Sequence, residues 1–254
     1  MAAINTEGVI LRKYLLRETS YILVIYTRDY GKIRAVFKGV RRPYPQFAGD
    51  LEIFTHCDIS FYPKKQKDLD LITESRAKNS FVGARKDIER LTYANYIIEL
   101  IDTVTGEHDR NEVLFELLTG GLELLGSDIP PKSAVRIFEL KLLDALGLGP
   151  ELGECVSCTS EINDAKCLDV PEGGVVCEVC SGTTAISHTV SQGTVNFFKK
   201  IRSVPISKAA GIKLGGSMEK EAERVLGDFV RFHVSDNIKS LEFARDLERK
   251  GIIR

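Results

Sequence analysis

In 254 residues there is no run approaching the roughly 20 consecutive apolar residues that a membrane span needs. The first sixteen residues carry Glu7, Arg12 and Lys13 among their apolar neighbours, so a signal-peptide hydrophobic stretch is absent and a cytosolic chain is expected. No G-x-x-x-x-G-K-S/T phosphate loop occurs, and no H-E-x-x-H zinc-protease motif. The histidines, His56, His108, His188 and His233, are scattered and read as structural or solvated. No nucleophile–base pairing is legible, so an enzyme ranks last among the functional classes. Internal repeats and low-complexity tracts are also lacking. What is present, 43% hydrophobic and 28% charged residues, is ordinary soluble-globular usage and argues against disorder. The length allows two modest domains or one large one, with a core that needs no disulfide staples.

The net charge of −1 conceals an asymmetry. Residues 1–80 hold 14 Lys/Arg against 9 Asp/Glu, and the remaining 174 hold 21 against 27. Only the first part would attract a polyanion. That part reads as β. Gly8-Val9-Ile10-Leu11 opens a strand, and Tyr21 to Tyr26 is a compact β-branched and aromatic run. Asp29-Tyr30-Gly31 is a turn signal, after which Ile33, Ala35 and Phe37 alternate with Lys32, Arg34, Val36 and Lys38. Leu51–Tyr62 and Asp68–Thr73 supply two further strands. Five short strands in about 75 residues fit a small barrel, with an OB-type barrel leading.

After Ser80, a candidate N-cap, the period becomes helical as far as about Thr105, and again over Asn111–Leu125. Ser133–Leu146, with Pro131 in its first turn and Gly147 as terminator, is apolar on more than one face and so reads as central to a bundle. Helices return from Ser191, through Phe197-Phe198, then over Met218–His233 with Ser217 as a candidate N-cap, and over Ser240–Lys250. The expected fold class is α+β: an OB barrel at 1–79 and a helical domain at 80–254, interrupted by a Cys-rich insert at about 150–185.

Four of the six cysteines, Cys155, Cys158, Cys177 and Cys180, form C-x2-C-x18-C-x2-C. A two-residue gap lets both thiolates of a knuckle approach one tetrahedral ion at ~2.3 Å, and the intervening segment folds back as a hairpin. With sulfur at all four positions no site is left for water, so the expected ion is a structural Zn2+. Two disulfides would suit a secreted chain, whereas the cytosol keeps thiols reduced. A redox C-x-x-C pair would more naturally occur once. Cys167 lies within the loop and could compete as a ligand; it and Cys57 read as small buried hydrophobes.

Several segments together resemble the RecO family of bacterial DNA repair and recombination mediators. They are Glu7-Gly8-Val9-Ile10-Leu11-Arg12, Thr27-Arg28-Asp29-Tyr30-Gly31-Lys32, Lys38-Gly39-Val40-Arg41-Arg42-Pro43 and Leu51-Glu52-Ile53-Phe54. In the helical part, Phe138-Glu139-Leu140-Lys141-Leu142-Leu143 and Leu146-Gly147-Leu148-Gly149-Pro150-Glu151-Leu152 are similar too. The resemblance implies an N-terminal OB domain, a helical body and an inserted zinc module. It implies binding of single- and double-stranded DNA, annealing of complementary strands, and work with RecR. It also implies contact with the C-terminal tail of single-stranded DNA-binding protein, helping RecA onto coated DNA. Some members of the family lack the full cysteine set; this chain has it.

The residues themselves support a DNA surface. Lys32, Arg34 and Lys38 share a strand face, and Arg41 and Arg42 follow in a loop closed by Pro43, on the strands where OB barrels bind oligonucleotides. Tyr30 and Tyr44 flank the patch and could stack on bases, though tyrosines so placed more often pack an edge. Lys64, Lys65 and Lys67 form a separate basic turn. In the helical body, a receptor for an acidic tail ending in an apolar residue needs a greasy pocket rimmed by cations. Arg136, Phe138, Leu146 and Leu148 are its candidates, with Leu142 read as core. Other classes stay open: a zinc-containing RNA-binding or transcription-associated factor, or an adaptor that does not bind DNA.

Overall fold

Five strands, β1 (Ile4–Leu16), β2 (Ser20–Thr27), β3 (Gly31–Phe37), β4 (His56–Tyr62) and β5 (Asp70–Asn79), close into a barrel in the order β1-β2-β3-β5-β4, with β4 returning to β1. All pairings are antiparallel except β3 with β5. The computed structural model describes residues 3–40, 51–64, 69–162, 167–181, 187–212 and 214–253. It divides into two compact units, Met1–Leu122 and Glu123–Arg254.

The period-2 pattern decides which side chains enter the barrel. Ile33, Ala35 and Phe37 of β3 join Ile10, Leu23, Ile25, Cys57, Ile59, Phe61 and Ile72 in one core. Cys57 is fully buried there, as expected of a small hydrophobe. Val9, Ile10 and Leu11 are all buried although consecutive, because the pairing of β1 with β2 shifts register between Ile10 and Arg12. The bulged residue escapes the alternation. Leu51–Phe54 is not strand, contrary to the sequence expectation. Phe54 takes φ 51°, its N–H bonds the Ile10 carbonyl, and Leu51 and Phe54 turn into the interior. β5 runs beyond Thr73 to Asn79 because Glu74, Arg76 and Lys78 are exposed while Ser75 is buried. A polar outer face had hidden the strand.

Helix α1 (Ile88–Val104) follows a short 3-10 turn at Val82–Arg85. Its cap is Asp87, whose side chain accepts from the Arg90 N–H at 2.8 Å, rather than Ser80. The left-handed Phe81 (φ 45°) stops any helix from running through from Ser80. Helix α2 (Glu112–Leu125) begins against the barrel, where the Tyr26 hydroxyl donates to the Asn111 carbonyl at 3.1 Å and the Arg28 guanidinium lies over the Phe115 ring. Burial, and then the nearby Asp109 charge, push the Tyr26 phenol up to about 12.

In the second unit, α3 (Pro131–Ala145) is buried on nearly every face between Ser133 and Leu143, as its all-round apolar sequence requires. It packs against α4 (Gln192–Arg202) and α5 (Ser217–His233), and α6 (Lys239–Arg249) closes the chain. Ser191 caps α4. Ser217 lies within α5, and Gly216 occupies the cap position with no side-chain bond. A small sheet, β6 (Cys167–Asp169), β7 (Gly174–Val176) and β8 (Ser187–Thr189), in the order β7-β6-β8, carries the Cys-rich insert. Two histidines tie it to α5: His188 to Asp228 at 2.9 Å, and His233 to the Val170 carbonyl at 2.9 Å. No helix among the described residues is long and apolar enough to cross a membrane.

Two outcomes test the barrel. Gly31 adopts φ +64°, and a Cβ there would lie 2.4 Å from the Asp109 backbone oxygen. Gly31→Ala should therefore lower stability by about 1–3 kcal/mol, read from denaturant unfolding of the β signal. Glu7 bonds Lys78 and contacts His56 and Arg28, so its carboxyl lies below the usual range, chiefly through Lys78. That stability is present above the ordinary carboxylate pKa and is lost as pH falls through the depressed one. Wild type should exceed Glu7→Gln in thermal midpoint at pH 7, and the gap should shrink below about pH 4.

Candidate nucleic-acid interface and thiol cluster

The outer face of β2–β3 and the loops at its end are where OB barrels take oligonucleotides, and the sequence placed its cations there. Their situations differ. Lys32 is largely enclosed: its ammonium donates to the Asp102 carboxylate at 2.9 Å and to the Asp102 carbonyl at 2.7 Å. Its charge is already matched by α1. Arg34 is half in water and meets Glu107 only at 3.8 Å, a contact of little strength. Lys38 is exposed and forms no ion pair among the described residues. Arg41, Arg42 and Tyr44 lie outside the described residues, as do Lys65 and Lys67. Lys64 is described, and its backbone N–H bonds Asp70.

Around Lys38 the barrel end forms a cavity lined by Leu16, Arg17, Thr19, Ser20, Val36, Gly39 and Leu69. It gathers the β1–β2 loop, the exit of β3 and the loop before β5. Arg17 is exposed at its mouth in a left-handed conformation (φ 55°), and sequence reasoning missed it. The available signal was an arginine in the turn between the first two strands. Tyr30 packs its edge on Phe61 with ring centroids 5.7 Å apart, the bland alternative for that residue.

The candidates for a tail pocket do not meet at an open surface. Arg136 is 3% exposed, ion-paired with the fully buried Glu139 at 3.0 Å and bonded to the Glu223 carbonyl of α5. Phe138 and Leu142 are fully buried core. Leu146 and Leu148 are half-buried beyond the end of α3. The sequence expects Arg136, a cation in a strongly apolar helix, at the rim of a pocket; the Glu139 carboxylate three residues on holds it inside.

The four cysteines of the double knuckle do come together, with their sulfurs all within 4.8 Å of one another. The Cys158 and Cys177 sulfurs are 3.8 Å apart, against the about 3.8 Å edge of a tetrahedron with 2.3 Å metal–sulfur bonds. Local chain geometry builds each knuckle. The Thr159 N–H turns back to the Cys155 carbonyl, and the Cys180 and Ser181 N–H groups turn back to the Cys177 carbonyl. Across the hairpin Val156 donates to Val175, and Glu151 exchanges bonds with Gly173 and Val175. A Cβ on Gly174 would fall 2.7 Å from the Glu151 carbonyl oxygen, so only glycine lets these segments close.

The thiols are electrostatically unequal. The Cys177 N–H, donating at 3.4 Å, leads the interactions that lower Cys155 to about 6. Hydrogen bonding to the Cys177 and Cys158 sulfurs pushes Cys180 up to about 12. Four clustered thiols cannot all ionise without a cation among them, and the donor set and spacing fit a metal. Cys167 is half-buried on β6 and stands outside this set of four.

Comparison with known proteins is uniform. Residues 1–81 match the family model described as recombination protein O N terminal, and residues 85–242 match recombination protein O C terminal. The DNA repair protein RecO of Alkaliphilus metalliredigens (strain QYMF) is 32% identical over 246 residues, covering 96% of this chain and 99% of that protein. That of Symbiobacterium thermophilum is 32% identical over 247 residues, covering 96% and 97%. That of Desulforamulus reducens is 29% identical over 255 residues, covering 100% and 98%.

The thiol cluster makes a direct prediction. The purified chain should release about one equivalent of divalent metal when its thiols are titrated with a mercurial. Cys177→Ser should lower the retained metal by tenfold or more after dialysis against a chelator, whereas Cys167→Ser should retain it.

Proposed function

Because the chain belongs to the recombination protein O family, with a role in DNA repair and recombination, we propose that it binds single- and double-stranded DNA and anneals complementary strands. With RecR it helps RecA onto single-stranded DNA covered by single-stranded DNA-binding protein, whose acidic C-terminal tail it contacts. It acts in the bacterial cytoplasm, at the nucleoid, and does so without covalent catalysis. The observation that carries the DNA reading is the closed five-stranded barrel with Arg34 and Lys38 projecting from the outer side of β3 and Arg17 across the adjoining cavity. In the sequence, Arg41 and Arg42 follow Lys38 within four positions.

Annealing follows from simple electrostatics. Two strands repel through their phosphates. A surface that neutralises phosphates without reading bases lowers that repulsion and leaves the pairing edges free. No nucleotide hydrolysis is needed for that step. We take the metal of the thiol cluster to be zinc, since four soft thiolates in a closed set suit it, and we give it a structural role. Its place beside α5 supports this: the sheet it would brace is held there by His188 and His233.

Binding should be sequence-independent and steeply salt-dependent. Arg34→Ala and Lys38→Ala should each reduce the salt slope by about 0.7 on single strands and 0.9 on duplex. Lys32→Ala should instead lower stability and leave the slope nearly unchanged, because that charge is held by Asp102. Anisotropy titrations with labelled oligonucleotides at several salt concentrations, followed by an annealing assay with and without single-stranded DNA-binding protein, check this. A chain that ignores oligonucleotides in dilute buffer would overturn the reading.

A further inference from the structure

One charged cleft on the barrel joins Lys32 and Arg34 to a cation not considered so far, Arg12. On the outer face of β1–β2–β3 the register sets Arg12 opposite Val24, and Val24 opposite Arg34. With strands about 4.8 Å apart, the two arginine Cα atoms are separated by roughly 10 Å, with one valine between them. In the next row Tyr14 stands opposite Ile22. Arg12, Tyr14, Val24 and Arg34 line a shallow cleft of about 390 Å³ together with Lys32, Asp102 and Glu107. Its floor, Val24, is 7% exposed, while Tyr14, Arg12 and Arg34 are each about half exposed (47%, 52% and 56%).

Asp102 is the hinge of this arrangement. It is nearly enclosed and takes two cations, Arg12 at 2.5 Å and Lys32 at 2.9 Å. Lys32 is the better held, since it also binds the Asp102 carbonyl. When Arg12 leaves, Lys32 still neutralises the carboxylate, so no buried charge is stranded. The Arg12 side of the pair is half in water and open to exchange. Arg12 is thus a cation at a site it can exchange, beside the exposed Tyr14 ring, to whose hydroxyl it also donates at 3.5 Å.

We infer that this cleft is a nucleotide subsite for single-stranded DNA, in which Arg12 exchanges Asp102 for a phosphate, Arg34 takes a second phosphate oxygen, and Tyr14 offers its ring to an unpaired base. The inference rests on the DNA-binding reading above and extends the binding surface from β3 onto β1. Single strands are specified because a ring can stack only on a base whose face is free. Asp102 is a positioning residue that competes with the ligand, while Lys32 keeps it neutralised without touching DNA.

The test uses the full chain and 5′-labelled oligo(dT), with a duplex of equal length beside it, across a salt series. Arg12→Gln should weaken single-strand binding and reduce the slope by about 0.7. Tyr14→Ala should weaken single-strand binding about tenfold and leave duplex binding unchanged, while Tyr14→Phe keeps wild-type affinity. Asp102→Asn should strengthen single-strand binding several-fold, a gain that Arg12→Gln reduces and that Arg12→Gln with Lys32→Gln abolishes. Circular dichroism melts verify folding, and Arg12→Gln and Tyr14→Ala decide the matter if Asp102→Asn folds poorly. Wild-type binding that Arg12→Gln and Tyr14→Ala leave unaltered, while Lys38→Ala weakens it, would overturn the subsite alone. Absence of any wild-type binding would overturn both the subsite and the reading beneath it.

Discussion

Closure of the barrel governs what its surface can offer. Once β4 pairs with β1 and β5 with β3, no open edge remains, and each strand has one side committed to the core. Lys32 and Arg34 must then face outward, because Ile33 and Ala35 fill the inside, and the register shift between Ile10 and Arg12 turns Arg12 outward although alternation alone would put it on the side of Ile10. The register aligns Arg12, Val24 and Arg34 across three strands, so residues remote in the chain become neighbours on one face. A slip of one residue would reverse every side. The bulge at Leu11 keeps Arg12 in step with β2.

A basic strand is not automatically a basic surface. What counts is how much of each charge the protein's own carboxylates have already claimed. Asp102 takes Lys32 completely and Arg12 in part, Glu107 takes Arg34 weakly, and Lys38 has no carboxylate among the described residues. The gradient runs along β3, from a neutralised end beside α1 to an open end by the loops. A polyanion approaching this face therefore meets the strongest attraction near Lys38.

The second unit obeys a different constraint. Its central helix α3 is buried nearly all round, so its charged residues have to pair internally, as Arg136 and Glu139 do at 3.0 Å. The sheet of the Cys-rich insert has three short strands among the described residues. It is fastened at one end by the His188–Asp228 and His233–Val170 contacts and gathered at the other by four sulfurs. A small module of this sort gains much of its rigidity from whatever ion links the sulfurs.

Much of this was legible without coordinates. Alternation placed Ile33, Ala35 and Phe37 inside, the all-round apolar helix was central, and the double C-x2-C spacing foretold a cluster because knuckle geometry is local. Failures arose where a neighbour decided. Phe54 turns inward because the backbone of β1 captures it, Asp87 caps α1 because Phe81 breaks the chain's path, and Arg136 is internal because Glu139 is. Amino-acid order alone thus determines the period of each element, the sign of the charge it carries and the chemistry of its thiols. Which cation stays free for a ligand was settled only in three dimensions, because it depends on a carboxylate 70 residues away, Asp102, that folding brings within 3 Å of Lys32.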